Sequence, residues 1–162
     1  MGRNKIIVDT DSIVIESSKS QRISLANIRN GKHGLNARRK NLLNKVKNTD
    51  AWESFARESI ELIDLAYLTA STGHEFALLR GKREDILFHG DSIKCEFKGV
   101  LFQRLIKKEL SLVCHSHAGE EIPQASEGDF DALRILNQKS SMVISAMTGM
   151  CREYSIEDGF EW

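Results

Sequence analysis

An α/β domain, with helices packed on the faces of one sheet, is predicted by the way helical stripes and short β-branched runs alternate along the chain. Its 162 residues are 41% hydrophobic and 28% charged. That is enough apolar material for one core and enough charge for a soluble surface. Its longest uncharged apolar stretches fall far short of the ~20 residues that span a bilayer. The opening MGRNKIIVDTDS is too polar for a signal peptide.

The elements follow in order. Ile6-Ile7-Val8 and Ile13-Val14-Ile15, separated by Asp9, Thr10, Asp11 and Ser12, predict a strand pair around a turn. Residues 17–48 are polar and basic and read as a loop followed by a short basic helix, in which Arg38-Arg39-Lys40 leads into Leu42, Leu43 and Val46. Asp50, with Glu53 three positions on, predicts a helix start. Trp52, Phe55, Ala56, Ile60, Ile63, Tyr67 and Ala70 then form one apolar stripe ending at Gly73, with Trp52 and Tyr67 in the core.

Residues 75–79 and 85–88 read as an antiparallel pair around Arg80-Gly81-Lys82, and Ile93, Cys95 and Phe97 alternate as a further strand. Residues 100–106 before Lys107-Lys108 suit a helix whose basic end complements the dipole. A buried strand at 110–114, a helix at 126–138 and an apolar strand at 142–146 complete the pattern, with Thr148-Gly149 turning into 151–155.

Charge divides the chain. Residues 1–50 hold 11 Lys/Arg against 4 Asp/Glu, and the remainder holds 12 against 19, so a net +7 faces a net −7. Residues 1–48 are accordingly read as an N-terminal strand pair with a basic flanking segment, and 49–162 as the main domain. The basic segment has three natural counterparts: nucleic acid, an acidic partner, or the acidic body itself. No aromatic residue interleaves Arg22 to Lys47, so base stacking has no support. Cys95, Cys114 and Cys151 form no CxxC pair and read as reduced thiols of a cytoplasmic protein.

The chemistry concentrates between residues 114 and 129. His115 and His117, two apart at a strand end, project from one side of the sheet. Two imidazoles need one more protein ligand to hold zinc with an open place for water, and Asp129 at the next helix start supplies it. A base must take the proton of such a water, and Glu75 reaches the site if its strand lies beside 110–114. Ser126 is placed to hydrogen-bond a developing oxyanion.

Glu75 after a helix, His115-Ser116-His117, and Ser126-Glu127-Gly128-Asp129 together resemble the JAMM (JAB/MPN) zinc metalloproteases. The resemblance spans roughly residues 50–155. It implies a mixed sheet between helices in three layers and one zinc ion per chain. It also implies hydrolysis of a peptide or isopeptide bond, often beside a ubiquitin-like tail. Two departures stand out: eight residues rather than seven separate His117 from Ser126, and Ala118 stands where the family usually has proline. Asp131 is the fallback ligand.

Blander readings compete. Ser126 and Asp129 alone make a helix capping box, and both roles can coexist. His74 and His89 read as solvated or hydrogen-bonding side chains, His33 as weaker still, and Cys114 as a buried small residue facing away from the histidines. Asp9 and Asp11 read as turn residues. The competing function is a scaffold of the same fold, metal-free or with structural zinc, binding nucleic acid or an acidic protein through the basic segment. A processing or effector domain of a larger bacterial or phage polypeptide is a third.

Overall fold

The computed structural model describes residues 5–9 and 12–156, with side chains from residue 17 onward. Its strands are β1 (Lys5–Asp9), β2 (Ser12–Glu16), β3 (Trp52–Ala56), β4 (Phe76–Gly81), β5 (Glu84–His89), β6 (Leu110–His117), β7 (Ser140–Ser145) and β8 (Cys151–Ser155). Its helices are α1 (Lys19–Arg29), α2 (Ala37–Lys45), α3 (Leu62–Thr72), α4 (Gly99–Ile106) and α5 (Glu127–Leu136). The strands form one eight-stranded sheet in the order β1-β2-β8-β7-β6-β4-β5-β3. β6 and β7 are parallel because α5 carries the chain back between them, and the other neighbours pair antiparallel. The sheet is therefore mixed, as expected.

Alternation along the central strands gives the sheet two apolar faces. Phe76, Leu78, Leu87, Cys114 and Ile144 meet Leu25 of α1, Leu42 of α2, and Leu65 and Leu68 of α3. Ala77, Leu79, Ile86 and Leu112 meet Leu101 and Leu105 of α4 and Leu136 of α5. Leu133, Val143 and Tyr154 extend this second face. Among the described residues, no helix is long and apolar enough to cross a membrane.

One irregularity decides what the second face carries. Leu78 lies opposite Cys114 but Leu79 opposite Leu112, so Val113 is an extra residue in β6. Strict alternation would send Leu112 and His115 to opposite faces. The bulge resets the phase, and both side chains line one cavity.

The predicted helix from Asp50 is corrected in its first half. Trp52–Ala56 is an edge strand, running from Trp52 opposite Phe88 to Ala56 opposite Glu84. Asp50 cannot be a helix cap: its φ is 71°, and its amide donates to the His89 carbonyl at 2.7 Å, drawing the chain into the sheet. Glu58, at φ 66°, ends that run. The α3 start comes later, where Asp64 accepts the Glu61 amide at 2.9 Å. Trp52 is thus 41% exposed rather than core, whereas Tyr67 is buried as expected. Gly73, at φ 77°, closes α3 where the stripe ends.

Two further expectations change. Residues 93–97 form no strand, because the Asp91 carboxylate accepts the Ile93 and Lys94 amides at 2.7 and 2.8 Å and turns the chain. Gly90 lets that turn close: a Cβ there would sit 2.5 Å from the Lys94 carbonyl oxygen and 2.9 Å from that of Glu75. Residues 17–36 are not all loop, since α1 starts with a Ser18/Gln21 capping box. Leu25 is the one buried residue of α1, so no apolar stripe announced it.

The basic segment lies on the acidic body. Arg29 donates to the carbonyls of Ala146 and Met147 at 2.8 and 3.0 Å. Arg38 and Arg39 meet the buried Asp64 carboxylate at 2.6 and 2.9 Å. The Arg39 guanidinium also stacks 3.9 Å over the Tyr67 ring.

Candidate metal centre

Three chain segments bring four side chains to one point. His115 and His117 come from the end of β6, Glu75 from the residue before β4, and Asp129 from the first turn of α5. As the sequence required, β4 and β6 are neighbours, with Ala77 opposite His115. The paired register ends there, and side chains take over. The Phe76 amide donates to Ser116 Oγ at 2.9 Å, Ser116 Oγ donates to the Phe76 carbonyl at 3.2 Å, and Thr69 of α3 meets the same hydroxyl at 2.5 Å. Ser116 therefore ties the strand carrying both histidines to the residue after Glu75. On its other side, the Glu75 backbone is fixed by Gly90 at 2.7 Å and Asp91 at 2.8 Å.

The ligand-bearing atoms are close together. His115 Nε2 and His117 Nε2 lie 3.1 Å apart, and Asp129 Oδ2 lies 3.2 Å from the first and 3.4 Å from the second. Glu75 offers a carboxylate oxygen within 4.8 Å of both imidazoles. The capping box forms as well: Ser126 Oγ accepts the Asp129 amide at 3.1 Å, and Asp129 Oδ2 accepts the Ser126 amide at 2.8 Å. The bond that caps α5 is thus the one that aims Asp129 at the histidines. Asp131, the fallback, is exposed and pairs with Arg134 at 2.6 Å.

Charge and burial act on these groups together. Burial, the main cause, and the nearby Asp129 carboxylate push the Glu75 carboxyl up to about 8, against the opposing pull of His117. Burial works against a charge on His117, but hydrogen bonds to Asp129 and Glu120 outweigh it and raise its pKa to about 9. Burial likewise opposes the Asp129 charge, and the His115 and His117 contacts overcome it, holding this carboxyl well below the usual range.

A cavity of about 320 Å³ opens at this point. Its lining includes the polar Glu75, His115, His117, Ser126 and Asp129, the charged Lys94 and Glu96, and the apolar Phe97, Leu112 and Ala132 beside the Tyr154 ring. The Tyr154 ring meets His115 edge-on, with centroids 5.9 Å apart. A polar cluster with apolar lining suits a small ligand or an extended peptide segment.

Three contributors escaped the sequence reading: Ser116, Tyr154 and Glu120, whose Oε1 lies 2.7 Å from His117 Nδ1. A carboxylate three residues after a candidate ligand was the available signal for Glu120; nothing local marked Tyr154. The remaining histidines lie elsewhere. His74 Nδ1 and His89 Nε2 are 2.8 Å apart, and His89 Nδ1 lies 2.6 Å from the Val46 carbonyl, so this pair hydrogen-bonds as expected, but His89 is buried rather than solvated. His33 is exposed. Cys114 faces the α3 side, as alternation required. Asp11 and the side chain of Asp9 lie outside the described residues.

No family model, curated protein or solved structure matches the chain.

Proposed function

We propose that the chain is a zinc-dependent peptidase or isopeptidase of JAMM (JAB/MPN) type. The observation that carries this reading is the mutual spacing of His115 Nε2, His117 Nε2 and Asp129 Oδ2, at 3.1, 3.2 and 3.4 Å. Ligand atoms at 2.0–2.1 Å from a tetrahedral zinc ion stand about 3.3–3.4 Å from one another, so this donor set fits the ion. These three residues would hold the zinc, which supplies Lewis acidity and a lowered pKa for coordinated water.

The remaining roles belong to the chain's own side chains. Glu75, whose carboxylate lies within 4.8 Å of both imidazoles, is placed to take and return the proton of a metal-bound water. Ser126 already accepts a hydrogen bond through Oγ from the Asp129 amide, which leaves its hydroxyl hydrogen for a substrate oxygen. Phe97, Leu112 and Tyr154 give the cavity apolar surface next to the polar cluster. The substrate is a protein or peptide, with a ubiquitin-like tail or a larger precursor polypeptide as the classes the family resemblance favours. Docking of Arg29, Arg38 and Arg39 on the body favours this reading over nucleic-acid capture by the basic segment.

The test is Glu75→Ala, assayed for zinc and for hydrolysis of a peptide or ubiquitin-like fusion that the parent cleaves. Zinc content should be retained and hydrolysis should fall about 10²–10⁴-fold, the range of a positioned acid–base group. Cleavage at the parent rate would overturn the mechanism.

A further inference from the structure

We infer that Glu120 is a positioning residue of the metal centre, orienting His117 from the loop between β6 and α5. The inference rests on the zinc reading above and adds to it a residue outside the ligand and acid–base set. Glu120 Oε1 lies 2.7 Å from His117 Nδ1. A carboxylate only accepts, so Nδ1 keeps its hydrogen and Nε2 is the ring atom that can give up its own to bind a metal. His117 Nε2 is also the atom that faces His115 Nε2 and Asp129 Oδ2, at 3.1 and 3.4 Å. Rotating the ring to present Nδ1 would break the Glu120 contact.

The loop is built to keep Glu120 there. Ser145 Oγ, at the end of β7, donates to the Glu120 carbonyl, and Thr148 Oγ1 donates to the Glu121 carbonyl. The Ala146 amide holds the His117 carbonyl at 2.9 Å, so both ends of the contact are fastened to the same segment. This loop carries the extra residue and has Ala118 in place of proline. In this chain its geometry is set by Ser145 and Thr148.

The test uses zinc alone. The 162-residue parent, Glu120→Ala, Glu120→Gln and Glu121→Ala are titrated with zinc against a chromophoric chelator. Glu120→Ala should weaken zinc binding about 10–100-fold, as loss of a carboxylate behind a ligating histidine does. Glu120→Gln, whose amide oxygen still accepts from Nδ1, should recover most of the loss, and Glu121→Ala should match the parent. Zinc affinity within threefold of the parent in Glu120→Ala overturns the inference and leaves the zinc reading standing. A folded parent that binds no zinc overturns both.

Discussion

The Ser116 hydroxyl holds the Phe76 amide at 2.9 Å, one residue from Glu75 and between the two histidines. Ser116 is fully buried, so Ser116→Ala leaves the Phe76 amide and the Thr69 hydroxyl without this partner inside the protein. The expected cost is about 1–3 kcal/mol, the penalty of an unmet buried polar group. Denaturant unfolding of Ser116→Ala checks it. A midpoint equal to the parent's would show that the hydroxyl is not what joins the strands here.

Asp64 is the anchor of the basic segment. It is fully buried, accepts from Arg38 and Arg39, and also accepts the Glu61 amide. Burial opposes its charge, yet Arg38, the Glu61 amide and Arg39 hold its carboxyl below the ordinary value. Asp64→Asn keeps a capping acceptor and removes the charge. It should cost about 2–3 kcal/mol, below the full penalty of a broken buried pair because the Arg38 side chain reaches water. Loss of less than about 0.5 kcal/mol in thermal or denaturant unfolding would place Asp64 among ordinary surface positions.

His89 makes stability fall on mild acidification. Burial, its main influence, lowers its pKa from the ordinary 6.5, against the pull of the Val46 carbonyl. The unfolded chain therefore binds a proton below 6.5 that the folded chain refuses. This contribution is intact above 6.5 and is lost as pH drops from 6.5 toward the lowered folded value. His89→Gln should flatten the stability profile between about pH 7 and pH 5.5. An unchanged slope in that window would assign the acid sensitivity to other groups.

Asp129 and Asp131 test which carboxylate serves the proposed metal. Asp129 Oδ2 is within 3.4 Å of both imidazoles, whereas Asp131 is exposed on Arg134. Asp129→Asn should lower zinc affinity at least tenfold and Asp131→Asn should leave it unchanged, as read by chelator competition. The reverse order would return the ligand role to the fallback residue.

Much of the site was legible because its residues obey local rules. His115 and His117 share a face by alternation, Ser126 and Asp129 carry a capping signature, and Glu75 needed only that β4 lie beside β6. The sheet partners were beyond reach, because pairing depends on long-range packing, and so was the Val113 bulge that phases the histidines. The fold failed to read where spacing imitated another structure. Trp52, Phe55 and Ala56 fitted a helical stripe, but a backbone at φ 71° at Asp50 sends them to a sheet edge. Ile93, Cys95 and Phe97 fitted a strand, but Asp91 takes the amides a ladder would use. The α1 helix was missed for the opposite reason, since one buried leucine makes no stripe.

The most direct measurement is the metal content of the purified protein by plasma emission, for the parent and for a His115→Ala/His117→Ala double variant. The expected result is about one zinc per parent chain, lost in the variant while its circular dichroism is kept. A folded parent without zinc after supplementation, or a double variant that retains it, would contradict a metal centre built on these two histidines.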